Sequence, residues 1–209
     1  HRGYGTKVHL NLFYEMEGFR LSQMPDRYRA EWEKASDWLK MSFHSLAEQP
    51  VDPYKHADAQ TVRRDCELVH KEIIRFAGEK SLSPFTTIHY VHATREGCRA
   101  LRQCGIRGLV GLFGVGSQVR RFYSLPMDTC RYMKTHSFYK DEKTGLYYIR
   151  NDMILNNVDR RDIPELLELK AQEDFLEIMI HEQYFYRDYP WYQPDFKDKV
   201  KRAVSWLTK

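Results

Sequence analysis

Short apolar runs alternate with amphipathic stretches along the 209 residues, and this alternation constrains the fold more than any other feature. Residues 7–14, 37–43, 85–91 and 106–113 are rich in β-formers and bounded by glycine, proline or polar turns, the pattern of short strands. Residues 25–35 and 95–104 read as helices, Pro25 suiting a first turn and Gly105 a C-terminal cap. The long helix at 57–77 carries Val62, Cys66, Val69, Ile73 and Phe76 at three- and four-residue spacing, one buried stripe that Gly78 brings to a stop. From 114 to 157 the pattern loosens, with strand-like segments at 147–150 and 153–155 after a Lys143-Thr144-Gly145 turn. A helix is predicted from Asp162, a strand at 175–180, and a last helix striped by Phe196, Val200, Val204 and Leu207. Parallel strands need a crossover, usually a helix, so the order implies a parallel sheet covered by helices. An open doubly wound sheet and a (β/α) barrel both satisfy it. In either, ligands meet the carboxyl ends of the strands.

At this length one domain spanning 1–209 buries a continuous core without disulfide or metal staples. Lys and Arg exceed Asp and Glu by 33 to 29, and the signs are interspersed, which argues against nucleic acid as partner. Cys66, Cys98, Cys104 and Cys130 form no C-x-x-C pair and read as reduced core thiols. No apolar run reaches the length of a membrane span, and no signal segment opens the chain. A start that leads at once into a strand, and an end directly after a helix, suggest a segment of a longer protein; compartment and oligomeric state stay open.

Two histidines stand at predicted strand ends. His44 precedes a loop punctuated by Pro50 and Pro53, and His181 precedes the aromatic stretch Tyr184, Phe185, Tyr186, Tyr189, Trp191 and Tyr192. Imidazole suits metal ligation and proton transfer near neutral pH; a backbone-bonded strand end is the other reading. His89 and His92 lie at the third strand's end, one of them expected to face the cleft. His56 is within reach of His44 from the next loop, His9 is expected to pack inside, and Glu15, Glu17, Glu48 and Asp152 are loop or strand-end carboxylates. The Gly111–Gly116 run satisfies neither phosphate-loop pattern. Tyr184, Tyr186 and Trp191 offer flat faces for sugar rings or, equally, a loop core.

In the order of its elements the chain resembles the polysaccharide deacetylase (NodB-like) group of the glycoside hydrolase/deacetylase superfamily. The likeness rests on Tyr4-Gly5-Thr6-Lys7-Val8-His9-Leu10-Asn11-Leu12-Phe13, Trp38-Leu39-Lys40-Met41-Ser42-Phe43-His44-Ser45, Ile88-His89-Tyr90-Val91, the helix and strand from Cys98 to Ile106, and Ile178-Met179-Ile180-His181. It implies a distorted (β/α) barrel, incomplete at its N-terminus, because the family's paired-aspartate strand would precede residue 1. It also implies a divalent metal such as zinc that activates water to remove acetyl groups from amino sugars. On that pattern His44 is a metal ligand, with Glu48 standing where a second histidine is usual; Glu48 or, from the next loop, His56 completes the expected metal set. His181 is then the acid/base, His89 lines the cleft, and Tyr184, Tyr186 and Trp191 contact carbohydrate. A noncatalytic carbohydrate-binding barrel and a structural or partner-binding domain are the alternatives.

Overall fold

The computed structural model describes residues 5–206. Its first sheet centres on β1 (Val8–Met16), paired in parallel with β3 (Leu39–Ala47) and, at its outer edge, antiparallel with the two-residue β2 (Phe19–Arg20). Between them stand a 3-10 turn at Asp26–Tyr28 and α1 (Arg29–Ala35). After the proline loop, α2 (Ala59–Ala77) starts where the Asp58 side chain accepts a hydrogen bond from Thr61 N at 2.7 Å, an N-cap. Every residue of the expected α2 stripe is fully or almost fully buried. The helix stops at Gly78, whose φ of 85° is a conformation that residues with a Cβ rarely adopt.

A second sheet has the order β4 (Phe85–Thr86), β5 (Gly108–Gly111), β7 (Leu146–Arg150), β6 (Phe138–Asp141), with α3 (Arg95–Gln103) crossing from β4 to β5 and α4 (Met127–Tyr132) lying between β5 and β6. β4, β5 and β7 are parallel; β6 and β7 form the hairpin around the predicted Lys143-Thr144-Gly145 turn. The last sheet is a parallel pair, β8 (Met153–Ile154) with β9 (Ile178–Met179), flanked by α5 (Ile163–Glu168) and α6 (Phe196–Trp206). A single parallel bridge, Met41 to Leu82, together with the bond from Ser83 N to Met41 O at 2.8 Å, links the first sheet to the second. Asn151 N to Gly111 O at 2.7 Å and Asp152 N to Glu177 O at 2.8 Å carry the order on to β9.

The fold is therefore mixed α/β with three small sheets, and the expected (β/α) barrel is corrected: no closed barrel forms among the described residues. Closure needs a continuous, regularly staggered ladder. Here β4, β8 and β9 have two residues each, and β2 covers part of the free edge of β1. Three strand boundaries also move. His44 lies inside β3 and not at its end, His89–Val91 is a 3-10 turn, and β9 stops two residues before His181. His9, expected inside, is exposed beside Phe85. Leu207 falls outside the described residues. Among those described, no helix is long and apolar enough to cross a membrane.

Candidate functional site

His44 owes its position to an irregularity. Along the β1–β3 ladder Leu12 pairs with Phe43 but Phe13 pairs with Ser45, so His44 is an extra residue in β3. A bulge of this kind re-aims the side chain that it carries. The imidazole Nδ1 bonds the Thr87 carbonyl, and Nε2 lies 3.1 Å from Nδ1 of His89. On its far side, His89 Nε2 lies 3.1 Å from the Glu48 carbonyl oxygen. The Phe13 ring meets both imidazoles edge-on, at 4.8 and 5.0 Å.

Both outer partners are carbonyl oxygens, which only accept, so each ring must turn an N–H outward and, when neutral, a lone pair toward the other. Two facing lone pairs at 3.1 Å repel unless a proton or a cation lies between them. Burial opposes the proton. It pushes His44 down to about 4, against the Thr87 carbonyl and with further help from the charges His89 and His181 would carry. Burial lowers His89 as well, with Glu48 and Asp52 pulling the other way. Among the described residues no group of three or more His, Cys, Asp or Glu is arranged to hold a metal ion. The two inner nitrogens nonetheless fit one: their separation is close to the about 3.3 Å between two nitrogens on a tetrahedral zinc. Each outer N–H meets a backbone carbonyl, as metal-bound imidazoles usually do.

His181 follows β9, near enough to His44 for its charge to act there. Its Nδ1 lies 2.8 Å from Asn156 Oδ1, and that acceptor fixes the proton on Nδ1 and leaves Nε2 basic. Burial lowers its pKa, with Glu182 opposing. The remaining predicted residues are less concentrated. Glu48 is exposed and reaches the pair through its backbone carbonyl. His56 is exposed in the loop, with no hydrogen bond or ring contact to His44 among the described residues. Tyr184 packs on Tyr189 and Phe196, ring centroids 5.3 and 5.6 Å apart, as part of a small core. Tyr186 and Trp191 are 60% and 68% exposed, and so are free to meet a ligand. Asp152 is buried in ion pairs with Arg150 and Lys170, a structural position.

The geometry adds a residue that spacing alone does not single out from its neighbour. His92 Nδ1 is 2.8 Å from both carboxylate oxygens of Asp52, so this imidazole too holds a fixed tautomer with Nε2 as its basic nitrogen. The partners are forty positions apart, and only the proline loop around Asp52 hinted at a fixed turn. Backbone strain gathers in the same place. Asp52, Tyr90, Val91, Tyr123 and Ser124 all have φ between 51° and 61°, unusual for any residue but glycine and an outlier for β-branched Val91. Neighbouring bonds hold them there: Tyr123 N to Val91 O at 3.2 Å, Tyr123 hydroxyl to Val110 O at 2.6 Å, and Ser124 hydroxyl to Ala93 O at 2.9 Å. Strain of about 1–3 kcal/mol per residue persists where surroundings over-determine it, and it clusters at functional sites.

A cavity of about 500 Å³ opens beyond the end of β5, lined by Leu112, Arg120, Ile154, Asn157 and Phe122 among others, the last stacked on His92. No protein-family model matches the chain, and no curated protein matches it.

Proposed function

We propose that this chain is a metal-dependent hydrolase domain of the carbohydrate deacetylase type, removing acetyl groups from amino sugars. The observation that carries the reading is the His44–His89 pair, two half-buried imidazoles with their inner nitrogens 3.1 Å apart and their outer N–H groups on backbone carbonyls. His44 and His89 would hold a divalent ion such as zinc, with Glu48 near enough to contribute its charge. When bound, such an ion supplies Lewis acidity and lowers the pKa of its water. The protein's own part is proton handling and positioning. His181 keeps Nε2 available because Asn156 occupies Nδ1, which suits it to take a proton from the attacking water at Nε2 and then pass that proton to the departing amine. His92, held by Asp52, is a second base on the same rim. Tyr186 and Trp191 give sugar faces a platform.

Metal analysis of the purified protein, paired with acetate release from acetylated chito-oligosaccharides, tests the reading. Bound zinc, nickel or manganese near one equivalent is expected, falling at least about tenfold in both His44→Ala and His89→Gln, in keeping with the loss of one of two ligands. No bound metal in the unaltered protein, or unchanged metal in both variants, would sink it. His181→Gln should retain the metal while acetate release falls by about 10²–10⁴. The exposure of Tyr186 and Trp191 also supports a second reading, carbohydrate binding without catalysis, which oligosaccharide binding with no acetate release would favour.

A further inference from the structure

We infer that the cavity beyond the end of β5 is a subsite for a carboxylate, so that the carbohydrate bound here carries a uronate next to its N-acylated sugar. The inference rests on the carbohydrate reading above and names its substrate class. Arg120 is the one cationic residue in the cavity lining, no acidic residue accompanies it there, and among the described residues it has neither hydrogen bond nor ion pair. Ser117, Gln118 and Asn157 add hydrogen-bonding groups, while Phe122 and Ile154 make the wall apolar. Lys134 fixes the loop that carries Ser117 and Gln118, its ammonium donating to Ser117 O at 3.0 Å.

The location gives the subsite its meaning. Phe122 lies in the cavity wall and stacks on His92, with centroids 6.1 Å apart and planes within 26°. On the other side Asn157 accepts from Asn156 Nδ2 at 2.8 Å, and Asn156 is the residue that orients His181. The cavity is thus linked to His92 through Phe122 and to His181 through Asn157 and Asn156, and its volume suits one or two sugar units. A lone arginine in a partly apolar hollow focuses a positive field. Its planar fork matches a carboxylate through two parallel hydrogen bonds, which a neutral hydroxymethyl group cannot return.

Calorimetric titration with two probes tests this. One is an oligosaccharide alternating glucuronate with N-acetylglucosamine; the other is the same oligosaccharide after reduction of its carboxyl groups. The acidic probe should bind about tenfold tighter, the worth of one charge-assisted contact. Arg120→Ala should erase that difference and Arg120→Lys keep only part of it, with the neutral probe unchanged within about twofold. Equal binding of the two probes, absent binding of both, or an undiminished preference in Arg120→Ala overturns the subsite. Acetate release is read on the same samples: a retained carboxylate preference without release supports the subsite and refutes only the hydrolase reading.

Discussion

The two walls of the site are built to different standards. The wall bearing His44, His89 and His92 belongs to the main core, which runs from Leu21 to Tyr148 and holds α2, α3 and the strands against one another. The wall bearing His181 stands on a separate, smaller cluster: Met153, Leu155, Ile163, Leu167, Phe196 and Ala203. Few buried apolar contacts mean low local stability. The first wall can therefore hold strained backbone, a bulge and two crowded imidazoles, whereas the second has one oriented histidine and an exposed aromatic fringe. The walls are joined at Arg150, 1% exposed, whose guanidinium bonds Asp152 and Glu173, both at 2.7 Å. Fixed chemistry is expected of one side and adjustable contact of the other.

The largest predicted effect tests whether the second cluster stands alone. Phe196→Ala should cost about 3–5 kcal/mol, with amide exchange accelerating in α5 and α6 while α2 stays protected. Equal loss of protection in α2 would show a single cooperative unit and break the comparison. Next comes the joint: Asp152→Ala removes a carboxylate from the buried Arg150 and should destabilise by about 3 kcal/mol in denaturant melts. A loss below about 1 kcal/mol, typical of exposed pairs, would mean that the network does not brace the walls.

Glu177 sharpens the same seam. Burial, with the charge of Asp152 beside it, raises its carboxyl to about 7 from the usual 4.5. Between those values the folded chain holds a proton that the unfolded chain has released, so its contribution to stability falls as pH rises through that window. Glu177→Gln should flatten this fall by about 3 kcal/mol; parallel stability curves for the two proteins from pH 4 to pH 8 would contradict it. The smallest effect lies on the first wall. Tyr90 holds φ of 60° at 44% exposure, and Tyr90→Gly should relieve about 1 kcal/mol of strain. A lower melting temperature would show that its ring against His89, 4.4 Å away, matters more.

Helices proved more legible than strands. The α2 stripe, its stop at Gly78, and the Lys143-Thr144-Gly145 turn before β7 follow from spacing and turn residues, which are local; β6, the other arm of that hairpin, does not. Strand length and sheet closure depend on partners far along the chain, so residues 85–91 and 175–180 looked like full strands although each pairs over two residues. The same locality divides the site. His44 and His181 were visible as histidines beside apolar runs; that His44 sits on a bulge was not, because a bulge exists only in the register with β1. Nor could spacing pair His44 with His89, or Asp52 with His92.

The sequence by itself determined the buried stripe of α2, much of the alternation of strands and helices and the identity of the imidazoles available for chemistry, since these follow from residue type and short-range periodicity. Only the tertiary structure decided that the sheets stay open, which histidine faces which, and where Arg120 stands free of any partner among the described residues. Those outcomes depend on hydrogen-bond register and packing between segments tens of residues apart, and no local preference encodes them.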